Sequence, residues 1–185
     1  MGDSVIIPHV IGTAALLVMF FTVGTYYDWY FTDLSREAYR VQLGQVADYI
    51  SSNIVDLVTL GQLTDRDQFL TKEIEIPRVI ADKLYNISLL VMTPSYGDND
   101  VIRVLVRIDS LDIYASSDMP WSANSNIHIC NNQTINNITV RSNLLSDAAA
   151  SKAAQEKKPA KIVVCCLKTS ENFAVGLGVR IADKS

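Results

Sequence analysis

The side chains with the strongest ligand and redox chemistry in this chain are one histidine and three cysteines. His128 and Cys130 are separated by a single residue, and Cys165 and Cys166 are adjacent. Because residues i and i+2 of a strand share a face, His128, Cys130 and one later thiolate form a candidate soft-ligand set for zinc or copper(I). In an oxidising compartment, the same atoms instead allow a disulfide between Cys130 and either Cys165 or Cys166. A third interpretation is three buried free thiols. The spacing matches no recognised metal site, so we expect no metal and no cofactor, and the disulfide and free-thiol interpretations stay open.

The rest of the sequence carries no recognisable catalytic constellation. It contains no glycine-rich phosphate loop, zinc-protease helix motif or nucleophile elbow. The second histidine, His9, lies inside an apolar run, and the acidic residues are scattered through turns. The net charge of −4 and the lack of a basic stripe argue against a nucleic-acid partner. We therefore expect a protein that is not an enzyme and does not bind nucleic acid.

The N-terminal segment is long and apolar enough to cross a membrane. No charged residue occurs from Val5 to Tyr27, and about 20 apolar residues of helix suffice to span a bilayer. Aromatic residues between Tyr26 and Phe31 are placed as an interfacial belt would be. Nothing basic precedes the run and no small-residue cleavage site ends it, so we interpret it as an anchor and not as a removable signal peptide. The side chains assigned to this membrane or assembly helix are Val5, Ile6, Ile7, Val10, Ile11, Leu16, Leu17, Phe20 and Phe21.

Two signals for the orientation of the anchor disagree. The charges flanking the apolar run slightly favour a cytoplasmic C-terminal domain. Three N-glycosylation sequons, at Asn86, Asn132 and Asn137, favour the opposite side. The apolar residues around Asn86 alternate, which places this asparagine on the outer face of a strand. We expect the domain to lie outside the cytoplasm.

The apolar run leads without a break into an amphipathic helix. Apolar residues recur at three- and four-residue spacing from Leu43 to Val58, which is the period of a helix with one buried stripe. The helix is predicted to begin near Pro8 and to end near Gly61. The sequence thus divides into an anchor or filament-core helix (1–31), its amphipathic continuation (32–66) and a β-domain (67–185).

The β-domain is predicted from segments of alternating polarity separated by turn residues. Strands are predicted at Lys72–Pro77, Leu84–Met92, Val101–Ile108, Leu111–Ala115, Ile127–Cys130, Ile135–Val140, Ile162–Leu167 and Phe173–Ile181, with turns at Pro94–Asn99, Ser116–Asp118 and Pro120, and a short helix or mobile loop at Leu144–Pro159. In the last strand, Ala174, Gly176 and Gly178 form a face of small residues. Because glycine often marks a close approach of another backbone, we expect the amphipathic helix to pack on this face. The alternative is that the glycines mark a bulge or a turn that faces solvent. The predicted fold class is α+β, with a long N-terminal helix followed by an antiparallel sheet or sandwich.

This arrangement resembles the type IV pilin architecture, and most closely its archaeal versions: pilins, archaellins and the membrane-anchored accessory proteins of the archaellum. The resemblance rests on the apolar run Val5–Tyr27, the stripe through Val58 and the segment from Ile74 to Ile87. It implies a structural protein that acts through contacts with copies of itself or with other pilus or archaellum components, anchored in a membrane or filament core. Residues 1–4 contain no Lys or Arg, unlike the basic leader of processed pilins. A different class of function is a ligand-binding or sensing β-domain on a single-pass anchor, which would need an apolar pocket with a few convergent polar groups.

Overall fold

The computed structural model describes residues 3–92, 100–122, 126–156, 158–170 and 172–181, and it gives residues 3–8 and 122 as backbone only. It contains a long helix followed by antiparallel-rich sheets, as predicted. The elements in chain order are α1 (Asp3–Gln62), β1 (Gln68–Ile74), β2 (Asn86–Met92), β3 (Val101–Ile108), a 3₁₀ turn (Asp109–Leu111), β4 (Ile113–Ser122), β5 (Ile127–Ile129), β6 (Gln133–Ile135), β7 (Ile138–Val140), β8 (Asn143–Leu145), α2 (Ala148–Glu156), β9 (Ala160–Thr169) and β10 (Asn172–Ile181). The chain forms two compact units, Met1–Ala38 and Tyr39–Ser185.

Helix α1 begins earlier than the sequence predicts. Its first helical residue is Asp3, five residues before Pro8, so the proline lies inside the helix and not in its first turn. The other end is close to the prediction, since the helix ends at Gln62, one residue after Gly61.

The second unit is built around the predicted stripe of α1. Leu43, Ile50, Ile54 and Val58 are fully buried, whereas Val41, Tyr49 and Leu60 of the same helix are exposed. The stripe belongs to one hydrophobic cluster with residues from both four-stranded sheets, among them Val104 and Leu177. The amphipathic half of the helix is therefore a core element of the β-domain.

Two four-stranded sheets and a hairpin make up the β-structure. The first sheet has the strand order β1-β9-β10-β5, and the second has the order β4-β3-β2-β8. The described pairs are antiparallel except β5 with β10, which are parallel. Strands β6 and β7 form a separate antiparallel pair.

The small-residue face of β10 packs against this hairpin, so the prediction that α1 would cover it is wrong. A Cβ placed on Gly176 would lie 2.3 Å from a methyl carbon of Val140, and one placed on Gly178 would lie 2.6 Å from a methyl carbon of Ile138. The large residues of β10, such as Val175 and Leu177, share the cluster with the α1 stripe. Glycine does mark a close approach here, but the element that approaches is β7.

Three local predictions also need correction. The segment predicted as one strand at Ile135–Val140 is a hairpin, because Asn136 and Asn137 adopt positive φ angles of 48° and 65° and turn the chain. Strand β4 continues through the predicted turns at Ser116–Asp118 and Pro120. Strand β1 begins four residues before Lys72 and ends at Ile74. The prediction for Leu144–Pro159 named a helix or a loop, and α2 is that helix. The predicted turn at Pro94–Asn99 lies outside the described residues.

A buried lysine closes the C-terminal end of α1. The last carbonyls of a helix have no partner within the helix. Lys168 of β9 is only 7 % exposed, and its Nζ donates to the carbonyl of Gly61 at 3.0 Å and to the carbonyl of Thr64. The same Nζ lies 5.7 Å from the centre of the Phe173 ring. Strand β9 therefore holds the helix end through charge-assisted hydrogen bonds.

Candidate functional site: an exposed apolar helix, three thiols and three sequons

The helix of the first unit presents an extended apolar surface. Every residue from His9 to Ala38 is exposed. Nine large apolar side chains between Val10 and Val23 lie on this surface, although a soluble monomer rarely exposes an apolar patch of more than a few hundred Å². One helix of the described chain, His9–Gln62, is long and apolar enough to span a membrane. The 23 residues from Val5 to Tyr27 would extend about 34 Å at 1.5 Å per residue.

The polar groups of this segment are satisfied inside the helix itself. The hydroxyl groups of Thr13, Thr22 and Thr25 each donate to the carbonyl four residues earlier, at 2.7–2.8 Å. The side-chain hydroxyls therefore need no water, which suits a segment in a low-dielectric surrounding. Of the predicted anchor residues, Val10, Ile11, Leu16, Leu17, Phe20 and Phe21 lie on this exposed helix, and the side chains of Val5, Ile6 and Ile7 lie outside the described residues.

The aromatic belt predicted after the apolar run is present as a set of neighbouring rings. Tyr26 lies edge-on to Tyr27 with ring centres 6.4 Å apart, and the rings of Tyr27 and Phe31 are stacked at the same separation. Trp29 is 66 % exposed. Rings with an apolar body and a polar edge suit the boundary between hydrocarbon and water.

The three cysteines are free and buried. Cys165 and Cys166 point to opposite faces of β9, since Cys166 belongs to the main core and Cys165 lies with Cys130 under the hairpin. Cys165 is in register with Gly176 of β10, and the N–H of Cys130 donates to the carbonyl of Val175 on the other side of that strand. Strand β10 lies between β5, which ends just before Cys130, and β9, which carries Cys165, and no disulfide joins the two cysteines. The structure therefore has the free-thiol arrangement.

Burial also disfavours the thiolate form of all three cysteines. Burial raises the pKa of Cys165 to about 12 and that of Cys166 to about 11, and it raises the pKa of Cys130 as well. The candidate metal set does not assemble, because His128 is exposed while Cys130 and Cys165 are buried. Within the described residues, no three His, Cys, Asp or Glu side chains lie together as metal ligands would.

The sequons lie in two different settings. Asn86 is on the outer face of β2, as predicted, but it is half-buried and its Nδ2 donates to Asp109. Asn132 and Asn137 are exposed at the two ends of β6, outside the paired strands. Sequence reasoning gave most weight to Asn86, yet the two hairpin asparagines are the more accessible ones. The signal that could have shown this is the pair Asn136-Asn137 between two short segments of alternating polarity, which is typical of a hairpin turn.

A polar cavity of about 730 Å³ lies beside α2. Its walls come from β2 and β3, from β8 and from α2, and they include Arg107, Arg141, Asp147 and Lys152. Most of these charges already have partners: Arg107 pairs with Asp109 at 3.2 Å, and Asp147 lies 3.9 Å from Arg78. The cavity is therefore charged and open, unlike the apolar pocket that a typical small-molecule site provides.

Fold and surfaces together define a chain with one candidate membrane-spanning helix and a β-rich domain whose core includes the end of that helix. No protein-family model, no curated protein and no solved structure matches this chain. Its function must therefore be inferred from the residues and surfaces described above.

Proposed function

We propose that this protein is a membrane-anchored structural protein of pilin-like architecture that works by assembly through protein–protein contacts. Its β-domain lies outside the cytoplasm, and the protein is a subunit of an archaeal type IV pilus-like filament or an accessory protein of the archaellum motor. The observation that carries this proposal is the exposed apolar surface of α1 between Val10 and Val23. A surface of this kind needs an apolar surrounding, which is either a bilayer or a bundle of similar helices.

The energetic argument for such a surrounding is strong. Removing one large apolar side chain from water stabilises by about 1.5–3 kcal/mol. Nine such side chains are exposed between Val10 and Val23, so their burial contributes on the order of 15 kcal/mol. This contribution is comparable to the whole stability of a typical domain. Insertion into a membrane or filament core is therefore the state in which this segment is stable.

The second support is the way in which the anchor joins the domain. Helix α1 is assigned as one element from Asp3 to Gln62, and its last four turns are part of the domain core. No Gly/Ser-rich linker separates anchor from domain. The absence of such a linker in the sequence favours a filament subunit or a stator component.

Charge placed in the apolar run tests the anchor. The variant Leu16→Arg/Phe20→Arg puts two charges one turn apart in the run, and each charge at a bilayer centre costs about 2.5–3.5 kcal/mol or more. The matched control Val41→Arg/Gln45→Arg has the same spacing on exposed positions of α1 in the second unit. In membranes of the native host, the first variant is expected to leave the membrane or filament fraction and the control to stay. Equal partitioning of both variants would contradict the anchor.

A filament subunit and an accessory protein are expected to differ in whether the N-terminus of the mature protein is cleaved. Intact mass and N-terminal sequencing of protein purified from its host, combined with sedimentation, distinguish them. Retained Met1 in a detergent-soluble membrane protein is expected for an accessory or stator component. A cleaved N-terminus in high-mass filaments is expected for a filament subunit.

A second candidate function is a ligand-binding or sensing domain, and the cavity beside α2 is the observation that favours it. Arg141 and Lys152 line this cavity, and both would contact an anionic or hydroxyl-rich molecule. A ligand at 100 times its Kd stabilises a protein by about 2.7 kcal/mol. Thermal unfolding with a panel of sugars and carboxylates, repeated on Arg141→Gln, tests this function. A shift that the variant abolishes would support it, and no shift with any compound would count against it.

A further inference from the structure

The strands β6 and β7 form a small hairpin that carries two of the three sequons. The two-residue turn Asn136-Asn137 has φ angles of 48° and 65°, which is the positive-φ geometry of a tight hairpin turn. Asn132, directly before β6, also has a positive φ of 48°. Both acceptor asparagines, Asn132 and Asn137, are exposed and stand outside the paired residues of the ladder. An enzyme can therefore reach either amide group without opening a strand pair.

The hydroxyl groups of the two sequons lie together on the outer side of this hairpin. Thr134 and Thr139 are directly opposite each other in the ladder, and their hydroxyl oxygens are 3.4 Å apart. The neighbouring side chains Ile138 and Val140 are buried and point to the other side, onto the glycines of β10. Because side chains alternate along a strand, the hairpin has an inner face clamped on the sheet and an outer face that presents both sequons.

The third sequon has the opposite character. Asn86 lies in a strand that is paired on both sides, opposite Arg107 of β3 and Leu145 of β8. Its Nδ2, the atom that a glycan would modify, already donates to the carboxylate of Asp109 at 2.5 Å. Modifying Asn86 in the folded domain would require breaking this hydrogen bond, at an asparagine held in a paired strand.

We propose that the outer face of the β6–β7 hairpin is the N-glycan acceptor site of the folded domain. Asn132 and Asn137 are modified, and Asn86 is not. This inference rests on the proposed location of the domain outside the cytoplasm. The co-reactant is a lipid-linked glycosyl phosphate or diphosphate, used by a transferase of the host. The amide Nδ2 forms a bond to the anomeric carbon of the sugar, the bond from that carbon to the phosphate oxygen breaks, and the lipid phosphate leaves with the electron pair. One Nδ2 proton goes to a base of the transferase.

Variants that suit the backbone can remove each acceptor without disturbing the fold. Glycine adopts positive φ at no steric cost, so Asn132→Gly and Asn137→Gly fit their positions. Thr139→Val keeps the asparagine and the shape of the side chain and removes only the hydroxyl group. Asn136→Gly is the matched control, since it changes the same turn and leaves both sequons intact.

The experiment is glycopeptide mass spectrometry of the full-length protein purified from its native host. We expect added hexose-containing mass at Asn132 and Asn137 and unmodified Asn86. Each of Asn132→Gly, Asn137→Gly and Thr139→Val should lose one glycan and one step of gel mobility, whereas Asn136→Gly should keep both glycans.

Protease added to intact cells separates failure of this inference from failure of the proposed function. Glycan on Asn86 but not on the hairpin would overturn the inference and leave the external location in place. An unmodified domain that external protease digests would also overturn the inference and leave the external location in place. An unmodified domain that is protected from external protease, and that becomes digestible only after lysis, would overturn both.

Discussion

Replacing Lys168 with methionine is expected to lower the free energy of unfolding of the β-domain by about 3 kcal/mol. Within the described part of the chain, the partners of this buried ammonium group are two backbone carbonyls at the end of α1 and the Phe173 ring. Methionine has a similar length and fills the same volume, so it removes the donor and the charge and leaves the packing nearly unchanged.

The magnitude follows from the contacts. Hydrogen bonds from a charged group contribute about 1.5–3 kcal/mol each, and a cation at a helix C-terminus adds about 0.3–1 kcal/mol. Two effects reduce the sum of these contributions. The carbonyl of Gly61 also accepts bonds from the backbone N–H and the hydroxyl of Thr64, at 3.4 and 3.2 Å, and methionine has no charge to desolvate. The lower end of the range, about 3 kcal/mol, changes the unfolding equilibrium more than a hundredfold.

Urea unfolding of the full-length protein in detergent micelles, followed by the circular dichroism of the strands, measures this loss. A shift of the midpoint at constant slope reports a change in stability alone. Lys168→Arg is the control, because it keeps the charge and the donors and should cost less than about 1 kcal/mol. The reasoning is refuted if methionine leaves the midpoint unchanged, or if arginine costs as much as methionine.

Three further perturbations have defined outcomes. Gly176→Ala should destabilise the domain by about 1–3 kcal/mol, because its Cβ would lie 2.3 Å from a methyl carbon of Val140 in the hairpin. Gly44→Ala should instead stabilise α1 by up to about 1 kcal/mol, because the nearest neighbour of its Cβ is 3.9 Å away. The urea unfolding midpoints of the two variants measure these changes. The Cys165 thiol, with a pKa of about 12, should resist iodoacetamide at pH 8 in the folded protein and react in urea, and fast labelling without denaturant would contradict its burial. A hydrogen bond from Arg103 lowers the pKa of Asp118 from 3.8, so this pair stabilises the fold above that value and the contribution is lost as the pH falls through the lowered pKa. Arg103→Leu should therefore reduce the acid sensitivity of the urea midpoint between pH 6 and pH 2, by less than about 1 kcal/mol because Asp118 is half-exposed.

The parts of this fold that were predictable from the sequence are those set by local periodicity. The stripe from Leu43 to Val58 repeats over four turns, and its buried positions in the structure are the predicted ones. Strands β2, β3, β9 and β10 have clear alternation or long apolar runs, and they were found close to their observed bounds. Local patterns of this kind need no knowledge of the partner element.

The parts of the fold that were not predictable depend on which strands and helices pack against each other. Gly176 and Gly178 indicate that another element approaches β10 closely. The residue that does so, Val140, is far away in the sequence, and no local pattern identifies it. The sequence predicts a turn at Ser116–Asp118, because these residues favour turns. In the structure β4 continues through them, stabilised by its ladder with β3 and by the ion pair between Arg103 and Asp118. Tertiary pairing overrides propensity in both cases.

The candidate sites follow the same division. That Cys165 and Cys166 face opposite sides of a strand was a local inference, and it is confirmed. That Cys130 lies two strands away from Cys165 could not be inferred, because it depends on the parallel insertion of β5 beside β10. The candidate membrane-spanning run was visible in composition alone, whereas the contrast between Asn86 and the hairpin sequons required the strand pairing.

The strand order also determines when each part of the β-domain can form during synthesis. The first sheet has β9 and β10 at its centre, and within the described residues β1 pairs with β9 alone. The stripe that ends at Val58 emerges from the ribosome about 100 residues before Ala160, a delay of roughly 5–20 s at 5–20 residues per second. During that interval the stripe can meet the strands of the second sheet, which end at Leu145, but the first sheet still lacks both of its central strands. The core of the β-domain therefore closes only after β9 and β10 have been synthesised, and a chain interrupted before β9 would keep the second sheet but leave the other side of the stripe uncovered.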